Sequence, residues 1–343
     1  MSWIRIKAAF KNMIAWPIHH GGGTALMRAV ARRPDAWRGY HVFCYHRIGE
    51  GKGPLFPGVP ARDFEKHCAF LARHYRVLQL WDLMERSRRR EPLSDAVAIT
   101  FDDGYRDNLE AALPTLEKYQ LPATIFLATS AIGTDEPLWH DRVAYILQQT
   151  KKSRLVLEAG GREMPFFLDS MGDRVDAVLS VCRVLKEIPE AEKSGVIEAL
   201  RRKAGIPDYR GLAGDMLSWE DVKSMTHRRI AFGGHTVNHP ILTRVSLEEA
   251  EREIVEGARK IEAETDLPCE VFAYPNGTPE DFSSEIEILL ESKKFLGAVS
   301  RGFEANQPGG NPYDIRRWTP YPCTRSFLAL KMEWMARGIP PRE

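Results

Sequence analysis

Short β-prone runs alternate with amphipathic stretches along most of the chain. The β-prone runs predict strands over 41–45, 76–80, 96–101, 123–129, 229–232, 269–274, 296–300 and 314–318. Helix-prone segments predict helices over 61–74, 108–119, 246–264 and 326–336. Strands that alternate with helices through short connections are typical of βα units around a parallel sheet. Seven or eight such strands predict a closed or nearly closed α/β barrel.

The alternation is interrupted between about residues 135 and 225. This interval holds two helix-prone runs, VDAVLSVCRVLKEI and EKSGVIEALRRKAG, and two short apolar pieces, LVLEA and PFFLD. Because the alternation resumes afterwards, we interpret the interval as a mainly helical insertion within one barrel domain. The predicted organisation is an N-terminal amphipathic helical segment (1–38), a barrel domain (39–323), and a C-terminal helix and tail (324–343).

Residues 1–17 predict a short basic amphipathic helix. One narrow face of its helical wheel carries Trp3, Ile6, Phe10, Met13 and Ile14. A helix of this kind can rest on an anionic membrane surface. Docking of the same face on the protein's own body is the alternative interpretation.

Composition argues against several function classes. The 343-residue chain is 43% apolar and 28% charged with a formal net charge of +1, which gives no support for a nucleic-acid partner. Its five cysteines are scattered without a CxxC pair, a pattern typical of reduced cytoplasmic thiols. No apolar run reaches the roughly 18 residues that a membrane-spanning helix needs. We therefore expect a cytoplasmic protein, with residues 1–17 as a hypothetical peripheral contact to the inner membrane.

Residues capable of chemistry follow several predicted strands. Asp102 and Asp103 come directly after AITF, and His46 and His235 follow other strands. Active-site residues of α/β barrels gather at these carboxyl ends. Two adjacent carboxylates at the end of a buried strand are costly unless a cation or hydrogen bonds hold them. The sequence therefore predicts either a cation or a hydrogen-bond network beside this pair.

The segment HTVNH supplies two histidines four residues apart. On one helical turn His235 and His239 would share a face and could bind one metal ion. Two polar residues that cap the turn are the alternative, and an Asp pair can likewise cap a helix. Two imidazoles and one carboxylate together form a set that leaves positions open for water and substrate. The other Asp would then be free to act as a base in hydrolysis of an amide or ester.

Three motifs resemble those of a known family, the polysaccharide deacetylases (NodB-homology domain, carbohydrate esterase family 4). They are TFDDG (100–104), HTVNH (235–239) and FAYPNG (272–277). The resemblance implies a distorted (β/α)7 barrel and metal-dependent removal of N- or O-acetyl groups from sugars. It implies that Asp102 is the catalytic base. It also implies that the metal ligands are Asp103, His235 and His239. Zn²⁺ is the expected ion, with Co²⁺, Ni²⁺ or Fe²⁺ as alternatives.

The sequence departs from the family pattern at two places. Many members begin the third motif with an Arg that tethers the catalytic Asp, where this chain has Ala273; we expect Arg316 or Arg317 to supply that charge. Many members also take their general acid from a C-terminal Leu-x-His motif, but no histidine follows His239 here. FAYPNG resembles the subgroup that acts on poly-N-acetylglucosamine, whose acid comes from an early Tyr-His. In this chain CYHRIG (44–49) matches that Tyr-His and nominates His46 as the acid. A structural histidine in the barrel mouth is the alternative.

Further residues are nominated for oxyanion and substrate binding. By the resemblance, the backbone N–H of Asn276 helps to hold the oxyanion, and Tyr274 and Pro275 belong to the same loop. Trp139, at the start of the insertion, is interpreted as a sugar-stacking platform or as a packing residue.

The function expected from these observations is N-deacetylation of an amino sugar in a polysaccharide or its lipid-linked precursor. A deformylase, or a deacetylase of another small acylated sugar, is the enzymatic alternative. A catalytically silent carbohydrate-binding barrel is the alternative from another class.

Overall fold

The computed structural model describes residues 39–49, 55, 58–304, 306–320, 328, 329, 331 and 332. The predicted N-terminal helix over 1–17 and most of the predicted C-terminal helix and tail lie outside these residues. Among the helices that are described, none combines the length and apolarity required to cross a bilayer.

Seven parallel strands close into a barrel. The strands of the chain are β1 His41–Tyr45, β2 Arg76–Val77, β3 Ala96–Phe101, β4 Ala123–Leu127, β5 Arg154–Ala159, β6 Arg162–Phe167, β7 Ile230–Gly234, β8 Val271–Ala273, β9 Gly297–Arg301 and β10 Ile315–Trp318. The ring runs β1-β10-β9-β8-β7-β4-β3 and returns to β1, which pairs with both β10 and β3. The predicted (β/α)7 barrel is therefore confirmed.

Helices surround this ring. They are α1 Ala61–His74, α2 Leu80–Arg88, α3 Leu113–Lys118, α4 Trp139–Gln149, α5 Met171–Glu187, α6 Glu190–Ala204, α7 Trp219–Met225, α8 Leu247–Thr265 and α9 Ser284–Ser292. A π-helical turn, Asn108–Ala112, leads directly into α3. The amphipathic pattern accounts for α8, whose buried side chains Ala250, Ile254, Ala258 and Ile261 recur at helical spacing.

The predicted strand over 76–80 is wrong in its length. β2 covers only Arg76–Val77, and α2 already begins at Leu80. Leu80 and Leu83 are fully buried in one apolar cluster with Val42 and Ala96, near the N-terminal ends of their strands. Helix α2 therefore closes the bottom of the barrel, which leaves the opposite end for chemistry.

Strand alternation aims specific side chains into the upper barrel. Val42 on β1 and Ala98 on β3 belong to the cluster inside the barrel. Because side chains at i and i+2 share a face, Cys44 follows Val42 on the inner face. By the same rule the inner face of β3 continues to Asp102, just past the strand end.

The insertion has an apolar cluster of its own. Helices α4, α5 and α6 pack with an antiparallel hairpin, β5–β6, around side chains that include Val143, Val181 and Leu200. This cluster spans residues within 143–212 and one preceding side chain, Leu55. Helix α7 returns to the barrel core through Val222 and Met225.

Candidate metal centre and active site

The carboxyl end of the barrel gathers the side chains singled out in the sequence. Asp102 and Asp103 follow β3, His235 follows β7, and all three are buried. The loop after β7 brings in His239, which is 8% exposed. His46 follows β1 and has a side chain that is 50% exposed. The structure thus brings together five residues from three segments that lie far apart in the sequence.

Asp103, His235 and His239 form a compact group of potential ligands. Asp103 Oδ1 lies 3.6 Å from His235 Nε2 and 3.4 Å from His239 Nε2. The two imidazole rings are 4.7 Å apart, centre to centre. Ligand atoms about 2.0–2.1 Å from one tetrahedral ion are separated by roughly 3.4 Å, so the observed distances match such a site.

The protonation states of this group also fit a cation. His235 Nδ1 lies 2.7 Å from the carbonyl of Ala273, so Nδ1 carries the proton and the Nε2 lone pair faces Asp103. Asp103 Oδ1 is buried without a hydrogen-bond partner among the described residues. A lone pair and an unsatisfied carboxylate oxygen that face each other are unfavourable without a cation between them. The three residues therefore fit a divalent transition ion.

Electrostatics keep the three side chains in the ligand form. Burial lowers the pKa of His235 below its ordinary value, although Asp102 and Asp103 oppose this. Burial, together with the neighbouring His235, lowers the pKa of His239 further. For Asp103 burial favours the neutral acid, but the surrounding histidines outweigh it and lower the pKa. Two neutral imidazoles and one carboxylate are the forms that bind metal.

The helical turn predicted for HTVNH is wrong. Residues 235–239 form a loop in which Thr236 and His239 have positive φ values of 69° and 59°. The Thr236 hydroxyl accepts the His239 N–H at 2.9 Å. The buried carboxylate of Glu253 on α8 accepts the N–H groups of Val237 and Asn238 at 2.9 and 2.8 Å. Glu253 therefore fixes the loop that presents both histidines, a role that the sequence pattern did not reveal.

Four non-glycine residues around this centre have a left-handed backbone conformation. Besides the HTVNH loop, Asp103 and Asn276 have φ values of 76° and 62°. Non-glycine residues at such angles cost roughly 1–3 kcal/mol each and persist where the surroundings hold them. Close packing at residue 233 on β7 requires glycine, because an added Cβ would lie 2.6 Å from the Phe126 ring and 2.8 Å from the Val271 carbonyl.

Asp102 faces a different partner from its neighbour. Arg317 on β10 donates from Nη1 to Oδ1 at 2.7 Å and from Nη2 to Oδ2 at 2.8 Å. Its Nη1 also donates to the Thr100 hydroxyl at 2.9 Å. Of the two arginines nominated beside Asp102, only Arg317 lies there. Arg316 points the other way and pairs with Asp314 and Glu304, because successive residues of a strand face opposite sides.

His46 and Cys44 lie on the other side of Asp102. His46 Nε2 is 3.9 Å from Asp102 Oδ2, and the Cys44 thiol is 3.3 Å from the same oxygen. Partial burial favours a neutral His46 ring, but Cys44, Asp103 and Asp102 raise its pKa above the ordinary value. His46 is thus held as a proton donor near neutral pH.

The loop after β8 corrects one nomination. The Tyr274 side chain is 1% exposed, stacks on Phe282 at 4.1 Å, and donates its hydroxyl proton to the Tyr313 carbonyl. Tyr274 is therefore a core residue, because the strand directs its ring away from the barrel mouth. Pro275 is buried, whereas Asn276 is partly exposed at the rim. Lys186 from α5 donates to the Asn276 side-chain oxygen, so the insertion reaches this loop.

Trp139 is placed for packing more than for stacking on sugar. Its ring packs against the apolar cluster of the insertion, and the Lys193 ammonium lies 4.7 Å from the ring centre. One aromatic face is thus already occupied by a cation.

The neighbouring His140 lies beside the ligand group, at a place that the sequence pattern did not reveal. Its Nε2 lies 3.8 Å from Asp103 Oδ2 and 2.9 Å from the Tyr105 hydroxyl, which donates to Asp141 at 3.0 Å.

Arg47 fastens the insertion to the barrel beside this site. Its buried guanidinium lies 3.7 Å from the Tyr105 ring centre and bonds Asp141 at 3.3 Å and Asp215 at 3.4 Å. Both carboxylates belong to the interval that interrupts the barrel pattern. Removal of Arg47 would take one positive charge away from these two buried carboxylates.

Comparison with known proteins identifies the family. A family model described as polysaccharide deacetylase matches residues 89–289. The Bacillus subtilis protein YxkH, which its designation assigns to the polysaccharide deacetylases, is 34% identical over 111 residues. That match covers 31% of this chain and 38% of YxkH, so it spans well under half of the curated relative.

Solved structures share the fold at low sequence identity. The Streptococcus pyogenes deacetylase PplD in complex with acetate matches 87% of this chain and 99% of its own, at 15% identity and a TM-score of 0.55. IcaB from Ammonifex degensii matches 86% of this chain and 97% of its own, at 18% identity and a TM-score of 0.53. Since the family model covers more than half of the sequence, this protein belongs to the polysaccharide deacetylase family of carbohydrate-deacetylating enzymes.

Proposed function

We propose that this protein hydrolyses the N-acetyl group of an amino sugar in a polysaccharide or its lipid-linked precursor. One observation carries the proposal: the two adjacent carboxylates after β3 have different partners. Asp103 faces His235 and His239, whereas Asp102 faces Arg317 and His46. Two neighbouring carboxylates in distinct environments can take distinct roles, one as ligand and one as base.

Asp103, His235 and His239 would hold the divalent transition ion, with Zn²⁺ as the first candidate. When bound, such an ion lowers the pKa of a coordinated water and polarises an acyl carbonyl. The other ring nitrogen of His235, Nδ1, donates a hydrogen bond to the Ala273 carbonyl, which fixes the orientation of the ring.

Asp102 would accept the proton of the attacking water. Arg317 holds both of its oxygens, so the carboxylate cannot rotate away from the ligand group. The same guanidinium keeps Asp102 ionised, which a base requires. Without Arg317, the Asp102 carboxylate would be buried and poorly oriented.

His46 would donate a proton to the leaving amine. Amide hydrolysis needs this step because an unprotonated amine is a poor leaving group. The half-exposed ring at the rim has access to a bound substrate, and its raised pKa supplies the proton. The backbone N–H of Asn276 would help to hold the oxyanion from the opposite side, at a position where the left-handed backbone is already set.

A lipid-linked precursor would be met at the cytoplasmic membrane face. The amphipathic pattern of residues 1–17 supports this part of the proposal. The precursor is then held at the surface where the barrel docks.

The test is release of acetate from a panel of acetylated glycans and lipid-linked amino sugars by the metal-loaded protein. We expect release from at least one N-acetylated amino sugar and loss of release in Asp102→Asn. Formate release from a formylated sugar, with no acetate from the panel, would assign the deformylase activity instead. Binding of these sugars without hydrolysis by any metal-loaded preparation would favour the silent barrel.

A further inference from the structure

A second group of potential ligands lies next to the first. Cys44, His46 and Asp102 each offer one donor atom, and these atoms all lie within 4.8 Å of one another. The Cys44 Sγ is 3.3 Å from Asp102 Oδ2 and 3.9 Å from His46 Nδ1. None of the three belongs to the group formed by Asp103, His235 and His239.

The spacing of this group matches a small thiophilic ion. With bonds of about 2.3 Å to sulfur and 2.0–2.1 Å to nitrogen and oxygen, tetrahedral ligand atoms are separated by roughly 3.3–3.6 Å. The measured 3.3 and 3.9 Å from the sulfur therefore require movements of a few tenths of an ångström. The third pair, His46 and Asp102, lies within 4.8 Å and requires the His46 ring to turn. Cys44 and Asp102 stand at the ends of adjacent, paired strands, which fixes two of the three donors.

Burial and exposure give the group both rigidity and access. Cys44 is 9% exposed and Asp102 is 4% exposed, so they are largely shielded from water. The side chain of His46 is half exposed, so an ion can enter from the rim and the ring can turn toward it. Sulfur, imidazole and carboxylate together select Zn²⁺ and similar ions over Mg²⁺ or Ca²⁺.

We propose that Cys44, His46 and Asp102 form a second site for Zn²⁺ and similar thiophilic ions, and that its occupation inhibits the enzyme. The site is weaker than the first because Arg317 already occupies both oxygens of Asp102 with hydrogen bonds and brings a positive charge. The Cys44 thiol releases its proton to solvent on binding. Inhibition rests on the proposed function: an ion bound to Asp102 and His46 removes the base and the acid together.

Cobalt titration of the full-length metal-free protein tests the site without reference to activity. The first equivalent of Co²⁺ should give only the visible bands of nitrogen and oxygen ligands. The second should add a thiolate-to-cobalt charge-transfer band in the near ultraviolet, because the thiolate is the ligand form of cysteine. The band should vanish in Cys44→Ser. It should persist in Cys182→Ser, a partly exposed thiol on α5, and in His235→Ala, which removes the first site.

Two results would overturn the second site: no thiolate band in the wild type at saturating Co²⁺, or an unchanged band in Cys44→Ser. A thiolate band in a protein that releases no acetate from any substrate would support this site and count against the proposed hydrolysis. The two proposals can therefore fail separately.

Zinc inhibition tests the functional consequence. The rate of each variant is normalised to its own rate at one equivalent of Zn²⁺, and Zn²⁺ is then added in excess. The wild type and Cys182→Ser should lose activity over the same range. Cys44→Ser should need at least about tenfold more Zn²⁺ for half inhibition, which corresponds to about 1.4 kcal/mol. Equal sensitivity of Cys44→Ser and the wild type would overturn the inhibitory role.

Discussion

Arg317 on β10 holds both carboxylate oxygens of Asp102 after β3, although β1 lies between these two strands. Both side chains are less than a tenth exposed. Burial alone would raise the pKa of Asp102, but Arg317, with His235 and His46, lowers it well below the ordinary value. Asp102 therefore remains ionised on the acidic side of neutrality.

Replacement of Arg317 should shift the pH dependence of hydrolysis. In Arg317→Met burial is no longer opposed by the guanidinium, so the pKa of Asp102 rises and the base is protonated at a higher pH. The acidic limb of the kcat/KM profile should move to higher pH, and activity at neutral pH should fall roughly 10- to 100-fold. Arg316→Met is the matched control, because among the described residues the Arg316 side chain forms ion pairs with Asp314 and Glu304 and not with Asp102. Superimposable profiles for Arg317→Met and the wild type would refute the positioning role.

Loss of one imidazole should empty the principal metal site. His235→Ala removes a ligand and the hydrogen bond that orients it, so elemental analysis after dialysis should show metal strongly depleted from about one ion per chain. His227→Ala removes an exposed histidine in a turn and should keep full occupancy. Full occupancy in His235→Ala would rule out the site as assigned.

His46→Ala should lower kcat on an amide substrate by roughly 10²- to 10⁴-fold, the usual range for a lost acid or base. The metal retained after loading with one equivalent of ion per chain should be the same as in the wild type, since His46 is not part of the group formed by Asp103, His235 and His239. Steady-state kinetics combined with elemental analysis separates this result from loss of the ion. A near-normal kcat in His46→Ala would show that another group supplies the proton.

Glu253 should control metal affinity from outside the ligand set. Its carboxylate accepts N–H groups from the loop that carries His235 and His239, and an amide in Glu253→Gln offers one acceptor oxygen in place of two. We expect metal affinity about 10- to 100-fold weaker, measured by competition with a chelator. Glu256→Gln, three residues later on the exposed side of α8, should bind as the wild type does. Equal affinities in the two variants would mean that the loop holds its shape without Glu253.

The N-terminal segment can be tested with vesicles. If the apolar face of residues 1–17 meets lipid, deletion of these residues should abolish co-sedimentation with anionic vesicles and spare activity on a soluble substrate. Unfolding of the truncated protein, detected by circular dichroism, would instead favour docking of the helix on the barrel.

The sequence predicted the barrel well because its signals are local. A short β-prone run and the residues that follow it can be recognised from a few sequence positions. Because the strands are parallel, the residues that follow them meet at one rim of the barrel. RVLQL was misjudged because two strand residues, two connecting residues and the first residue of α2 form one β-prone run. Periodicity alone cannot separate such pieces.

The partners of the site residues depend on contacts that spacing does not encode. HTVNH has helical spacing, yet its histidines meet through a loop that a distant glutamate holds. The choice between Arg316 and Arg317 depends on which face of β10 turns inward, a register that only the closed sheet settles. Tyr274 was grouped with its motif neighbours, although strand alternation buries its ring.

The closed ring imposes an order on assembly. β1 and β10 come from opposite ends of the barrel sequence, and their pairing is the contact that completes the ring. Such non-local pairing is slow to form, and chains fold from their N-terminal part during synthesis. Asp103, His235 and His239 all precede β8, whereas Arg317 is made much later. A nascent chain therefore completes the segments that carry Asp103, His235 and His239 before the strand whose Arg317 orients Asp102.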